Sequence, residues 1–377
     1  MKIALIAPLM ESVPPQLYGG TERIVGYLAD ELTIQGHDVT LFASADSKTR
    51  AKLVPCCAKA LRLTPSVVDP IPYYMAMLDR VKRSALQFDV LHFHIDQFHF
   101  PIFSETPLHT LTTLHGRQDL PDLQYLYSAF PQMPLVGISK AQQAPIPKAN
   151  VTDTVLHGIP RDLLRPSVNG SAGYLAFLGR ISPEKRVDRA IAIAEAVQLP
   201  LKIAAKIDRS DQEYFKQIQS LFQKPGVEYI GEIDERQKQS FLGNASALLF
   251  PIDWPEPFGL VMIEAMACGT PVIGFRRGSV AEVIDPGVTG VIVDSVDEAV
   301  QVLPSVLGYD RTQIRQRFEM RFTADRMASD YVKIYHRLQG RAAMAGIEST
   351  TTSNRLNTRD AKSIRLETEL ATNGSIV

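Results

Sequence analysis

Short unbroken apolar runs separated by amphipathic helical stretches recur along this chain, and that alternation limits the fold more than any other feature. Lys2–Pro8 (KIALIAP) is apolar at every position after the first, as a strand buried on both faces of a parallel sheet must be. After a loop holding Pro14, Pro15, Gly19 and Gly20, Thr21–Gln35 places Ile24, Leu28 and Leu32 on one helical stripe with Val25 beside it. Gly36 stands where a helix would stop, and Val39–Ala43 reads as the next strand. Further strands are expected at Val90–Phe93, Thr110–Leu114, Leu135–Ile138 and Thr154–Leu156. A strand–helix–strand rhythm of this kind predicts a parallel sheet covered by helices.

The rhythm restarts after the turn-like Pro166–Gly173. Strands are expected at Tyr174–Leu178, Leu201–Ala205, Val227–Ile230, Ala247–Pro251 and Val272–Phe275, and helices at Glu184–Gln198, Gln212–Phe222, Glu235–Asn244 and Leu260–Ala267. At 377 residues the chain exceeds what one hydrophobic core commonly serves. The sequence therefore predicts two Rossmann-like α/β domains facing across a cleft, residues 1–165 and 166–322. Residues 323–340 form one more helix candidate, with Met327, Tyr331 and Ile334 in register, and residues 341–377, poor in large apolar groups, are expected to be a disordered tail.

Composition narrows the function. Forty Lys and Arg against 41 Asp and Glu give a net charge of −1, and the balance persists when the chain is divided at residue 165. A nucleic-acid partner is not expected, because phosphate binding calls for a basic excess. A neutral total leaves peripheral membrane contact open. Cys56, Cys57 and Cys268 form neither a disulfide framework nor a C-x-x-C pair. With no signal-peptide pattern and no apolar span of membrane length, the expectation is a reduced cytoplasmic protein.

The chemistry concentrates in Glu256–Pro271 (EPFGLVMIEAMACGTP). Pro257 and Gly259 put Glu256 in a loop and start a helix near Gly259 or Leu260; Gly269 and Pro271 end it. Glu264 then lies about one turn inside, so the unpaired N–H groups of the helix start sit between two carboxylates. Those groups and the helix dipole suit a phosphate, and the carboxylates suit hydroxyls. Two glutamates at this spacing are common, and the spacing alone is weak evidence.

A second constellation is Phe177–Lys185 (FLGRISPEK). Arg180 falls just after a strand, at the sheet edge where such folds bind ligands, and Lys185 falls in the first turn of the next helix. The pair could neutralise a diphosphate; a solvated arginine and a surface lysine are the plainer reading. A third is Pro15–Glu22 (PQLYGGTE), where Gly19–Gly20 ahead of a helix allows close approach to a phosphate and equally suits a mere turn. Neither a G-x-G-x-x-G fingerprint nor a Walker loop is present. His92, His94 and His99 cluster in LHFHIDQFHF, but no Asp-x-Asp or second cluster supports a metal there, so they are expected to line the cleft or pack locally. His115, in TLHG after a strand, is the better functional candidate.

Glu256–Pro271 resembles the Glu-x7-Glu signature of the family 4 (group 1) retaining glycosyltransferases, which have the GT-B fold. FLGRISPEK, the Gly19–Gly20 loop and Gly36–Ala43 (GHDVTLFA) are similar to the same family. The resemblance implies a catalytic group of Arg180, Lys185, Glu256 and His115. It places Glu256 near the donor sugar, Arg180 and Lys185 on the diphosphate, and His115 by the sugar's primary hydroxyl. Gly19, Gly20, Phe258, Gly259, Leu260 and Glu264 would bind the donor, with Glu264 on the ribose hydroxyls. It further implies a C-terminal helix crossing back to the N-terminal domain, no cofactor, and a metal-independent transfer of a hexose from a nucleotide-diphosphate sugar, UDP-sugar before GDP-mannose. The acceptor, a glycan, lipid-linked or small molecule, falls to the N-terminal domain, where residues 44–75 and 94–133 carry no readable code. Two departures stand out: Arg186 replaces the usual glycine after Lys185, and His157 in VLHGIP replaces a frequent asparagine, in a segment read as structure near the hinge. A nucleotide-sugar 2-epimerase of the same fold and a non-catalytic nucleotide-sugar-binding protein are the competing readings.

Overall fold

The computed structural model describes residues 1–16, 19–105, 109–167 and 172–340. The expected tail at 341–377 lies outside the described residues, as do Leu17 and Tyr18 of the glycine loop. In the first half the strands are β1 (Lys2–Ile6), β2 (Asp38–Ser44), β3 (Lys52–Cys57), β4 (Val90–Phe93), β5 (Thr110–Thr113), β6 (Leu135–Gly137) and β7 (Val151–Thr154). They form one sheet in the order β3-β2-β1-β4-β5-β6-β7, every pairing parallel. In the second half, β8 (Tyr174–Arg180), β9 (Leu201–Lys206), β10 (Val227–Gly231), β11 (Ala245–Phe250), β12 (Val272–Phe275) and β13 (Gly290–Val293) form a second parallel sheet in the order β10-β9-β8-β11-β12-β13. These are two Rossmann-like domains.

Each sheet reverses its strand order beside its first strand, between β1 and β4 and between β8 and β11. At such a switch point the loops leaving the strand ends diverge and open a crevice. Four helices carry or flank the candidate residues: α1 (Gly20–Ile34), α2 (Val187–Val197), α3 (Glu235–Gly243) and α4 (Leu260–Ala267). α1 turns Ile24, Val25, Leu28 and Leu32 inward as its spacing requires, and α4 is buried nearly all round.

The two domains are joined by two crossings. Residues around Ile159 lead out of the first domain and residues around Thr323 return, and the two segments pair as an isolated parallel bridge. Their approach is close: a Cβ on Gly158 would stand 2.2 Å from the Thr323 carbonyl oxygen. Helical residues 324–331 pack back on the first domain. There the Gln35 amide donates to Asp325 O at 3.2 Å, and the Tyr331 hydroxyl lies 2.8 Å from Thr113 Oγ1.

Several elements differ from expectation. β3 and β13, both at sheet edges, were not expected, and β7 begins three residues earlier than expected. α2 begins at Val187 instead of Glu184, because Pro183 opens a turn over Ser182–Lys185 and Arg186 has φ +52°. Lys185 therefore precedes the helix instead of occupying its first turn, and Arg180 is the last residue of β8 instead of following it. The left-handed φ also explains Arg186. Glycine takes this conformation freely, whereas another residue gives up about 1 kcal/mol. Here the guanidinium is held on Asp188 at 2.8 and 3.0 Å and on Asp253 at 3.1 Å, which offsets part of that cost.

Candidate functional site

A cleft of about 560 Å³ lies between the domains, and every residue singled out from the sequence as a site candidate lines it: Gly19, Gly20, His115, Arg180, Lys185, Glu256, Phe258, Gly259, Leu260 and Glu264. The volume is that of an ordinary small-molecule site. The second domain contributes the ends of β8 and β11 and the start of α4. The first contributes the start of α1 and the loop after β5.

The start of α4 is built closely. Gly259 has φ +78°, and a Cβ there would meet Met262 Cε at 2.7 Å and Phe250 Cζ at 3.0 Å. Gly259→Ala should therefore cost about 1–2 kcal/mol of stability. A melting curve checks this; an unchanged melting temperature would contradict it. Upstream, Ser279 N–H donates to Glu256 O and Ser279 Oγ–H to Phe258 O, both at 2.9 Å. Gly278 packs against Glu256 so tightly that a Cβ would be 2.3 Å from its carbonyl oxygen. The first domain grips the same loop: Ser139 Oγ–H donates to Pro257 O at 2.7 Å, and the Glu282 carboxylate accepts the backbone N–H groups of Lys140 and Ala141 at 2.8 and 2.7 Å.

Glu256 is 8% exposed. The Lys185 ammonium donates to its Oε2, and the Trp254 indole N–H donates to the same oxygen at 2.8 Å. Lys185 also lies 4.9 Å from the Trp254 ring centre and 5.7 Å from that of Phe250, close enough for cation–π attraction. Arg180 is met by three carboxylates, Asp211 at 3.1 Å, Glu184 at 3.2 Å and Asp208 at 3.8 Å. Burial outweighs the arginine at Asp211, whose pKa is raised.

Glu264, buried one turn into α4, accepts from the Lys238 ammonium of α3 at 2.6 Å. Glu235 lies 3.6 Å from that ammonium and pairs with Arg23 of α1, so an ion-pair chain runs from the second domain to the first. Burial lowers the Lys238 pKa against the pull of Glu264. Breaking a buried pair strands the other charge. Glu264→Ala should thus destabilise the protein by about 3 kcal/mol, the low end of that range because Glu235 still faces Lys238. Adding Lys238→Met should recover much of the loss in denaturant titrations; a double variant no better than the single would contradict this.

The first domain faces the cleft with histidines. His115 Nε2 lies 2.9 Å from His94 Nδ1, and its ring stacks 5.3 Å from that of His157, which meets Phe258 of the second domain edge-on at 4.9 Å. Burial depresses the His115 pKa to about 3 and that of His157 well below the usual value, so both rings are neutral. Sequence reading assigned His157 to the hinge; its ring also lines the cleft. His99 packs locally, stacked 3.7 Å from Phe93 with Thr112 Oγ1 at 2.9 Å. Gly20 crosses the cleft: a Cβ on it would touch Leu260 Cδ1 at 3.6 Å. Lys238, Asp208, Asp211 and Glu282 gave no sequence signal, because each acts through a partner distant in the chain.

Two family models match. Residues 18–149 match Glycosyltransferase Family 4 and residues 165–308 match Glycosyl transferases group 1. The chain is 28% identical to an uncharacterised 41.2 kDa protein of the cps region of Klebsiella pneumoniae over 43% of this chain and 45% of that protein. It is 26% identical to a phosphatidyl-myo-inositol mannosyltransferase of Mycolicibacterium smegmatis over 82% and 84%. The match spans less than half the length of the first curated relatives. Among solved structures, a glycosyltransferase involved in avilamycin A biosynthesis is 25% identical, with a TM-score of 0.69 over 90% of this chain and 98% of that one. Among the described residues no helix is long and apolar enough to cross a membrane.

Proposed function

The chain belongs to the family 4, group 1 glycosyltransferases, and from that we propose that it moves a hexose from a nucleotide-diphosphate sugar to an acceptor hydroxyl with retention of configuration and without a divalent metal. The observation that carries this reading is the convergence of the α4 start, Glu256, Glu264, Lys185 and Arg180 on one cleft closed from the other side by Gly20 and His115. The donor diphosphate lies at the α4 start, where free N–H groups and the helix dipole meet its charge. Arg180 and Lys185 supply the positive charge that grows in value as the glycosidic bond breaks. The carboxylates now around Arg180 hold its guanidinium at the cleft edge until the diphosphate replaces them.

Glu256, oriented by Lys185 and Trp254, faces the donor sugar. Glu264, with Oε1 held by Lys238, accepts the ribose hydroxyls. The neutral His115 ring faces the sugar's primary hydroxyl. Displacement proceeds on the front face, the departing phosphate taking the acceptor's proton as the new glycosidic bond forms, while the closed domains exclude water. UDP-sugar is the favoured donor and GDP-mannose the next. The acceptor binds on the first domain; whether it is a free glycan, lipid-linked at a membrane surface or a small molecule is left to the assay.

Mass spectrometry of donor and acceptor pools after incubation with UDP-, GDP- and ADP-sugars tests the reading. A glycosylated acceptor with one nucleoside diphosphate released per transfer is expected. An epimerised nucleotide sugar with no transfer product would replace the reading with the 2-epimerase, and a trapped covalent sugar–enzyme adduct would end the front-face mechanism.

A further inference from the structure

A side lobe of about 240 Å³ opens on the first domain, bounded by Tyr74, His94, Asp96 and Phe98. It shares Thr21, Glu22, His115 and Gly116 with the main cleft, so a molecule seated there reaches the donor's reacting end.

The lobe's walls hold acidic and aromatic groups. His94 is 2% exposed; its Nδ1 faces His115, and its buried Nε2 has no hydrogen-bond partner among the described residues. Asp96, at φ +50°, has neither a hydrogen bond nor an ion pair among the described residues. The residue is exposed and lines the lobe, and desolvation by the surrounding protein raises its pKa. Glu22 is buried in the shared wall, its pKa likewise raised first by burial. Phe98, 46% exposed, stacks on Tyr74 at 5.2 Å and 12° and presents an apolar face.

We infer that this lobe is the acceptor subsite and that it takes a neutral polyhydroxylated ring, a sugar or a cyclitol, with its hydroxyls on Asp96 and Glu22 and its C–H face on Phe98. The inference rests on the donor reading of the main cleft. Two carboxylates donate nothing and accept hydroxyl protons well, and an aromatic face suits the apolar side of a ring. No lysine or arginine lines the lobe among the described residues, so a phosphorylated or carboxylated acceptor would bring its charge against two anions unrelieved. The size fits one ring, not a chain.

Saturation-transfer NMR on the full chain tests this with methyl glucoside, methyl mannoside and myo-inositol against glucose 6-phosphate and inositol 1-phosphate. At least one neutral ring should bind, and the phosphate esters should bind about tenfold more weakly or not at all. Asp96→Asn, which the left-handed backbone tolerates, should weaken the neutral ring about tenfold, and Phe98→Ala should weaken it too. Neither should change the affinity for UDP or GDP. Binding of the esters as tight as that of the neutral rings, undiminished binding to Asp96→Asn, or no neutral ring bound to the wild type would each overturn the inference. UDP and GDP titrations in the same samples report on the donor cleft separately. Nucleotide binding without ring binding defeats the acceptor assignment alone; ring binding without nucleotide binding upholds the lobe and defeats the donor reading.

Discussion

Lys185→Ala and Glu256→Ala should each lower turnover by about a thousandfold, the scale of losing one preorganised charge at a reacting centre, while the protein stays folded. The geometry separates the two effects. Without Lys185, Glu256 keeps the Trp254 indole as a donor, at 2.8 Å. Without Glu256, the ammonium of Lys185 keeps the faces of Trp254 and Phe250. Neither change leaves a fully buried charge without a partner, so the stability loss should remain well inside the roughly 5–15 kcal/mol that holds a domain together. Because the two side chains share one hydrogen bond, their losses should not add: the double variant should fall little below the worse single one. Steady-state kinetics with circular dichroism on all three variants checks this, and near-normal activity in both single variants would end the site assignment.

The second large effect is acid lability that sets in well above the carboxylate range. His92, His94, His99 and His157 are buried and His115 is half-buried at the cleft, and desolvation lowers each pKa, to about 3 for His99 and His115. The native state holds these rings neutral, whereas the unfolded chain protonates them near pH 6.5. Stability is therefore full above about pH 6.5 and falls as the pH drops below it, by about 1.4 kcal/mol per pH unit for each ring. Five rings acting together reach the order of a whole domain's stability within about two pH units. The raised carboxylates Glu11, Glu22 and Asp96 work in the opposite direction, since the native state protonates them first, and offset part of the loss. Melting temperature should drop steeply between about pH 6.5 and 5. His157→Asn should flatten the slope by about one proton. A melting temperature level across that range would contradict the neutral histidine row.

How far the sequence could be read follows from where each constraint lies. β4, β12 and α4 match their expected limits to the residue, because each is a run buried on all sides and punctuated by residues that stop it. β3 was missed: its KLVPCC is half exposed, interrupted by Pro55, and placed at a sheet edge where one neighbour suffices. β13 and the shifted β7 are edge strands as well. The Glu256–Glu264 segment was legible because its loop, helix start and helix stop are contiguous. The partners that set its chemistry were not. Lys238 reaches Glu264 from another helix, Glu282 caps the opposite domain, and three acids gather on Arg180 only once β8, β9 and their loops are in place. The turn that holds Lys185 depends on a left-handed arginine, which no residue preference announces.

Calorimetric titration of UDP-, GDP- and ADP-sugars into the wild type and Lys185→Ala tests the central claim most directly, since it asks whether this cleft holds a nucleotide sugar through the residues that line it. One donor should bind the wild type at a single site and bind Lys185→Ala about tenfold or more weakly, as the loss of one charge-assisted contact to phosphate requires. No binding by any donor, or equal binding by both proteins, would contradict it.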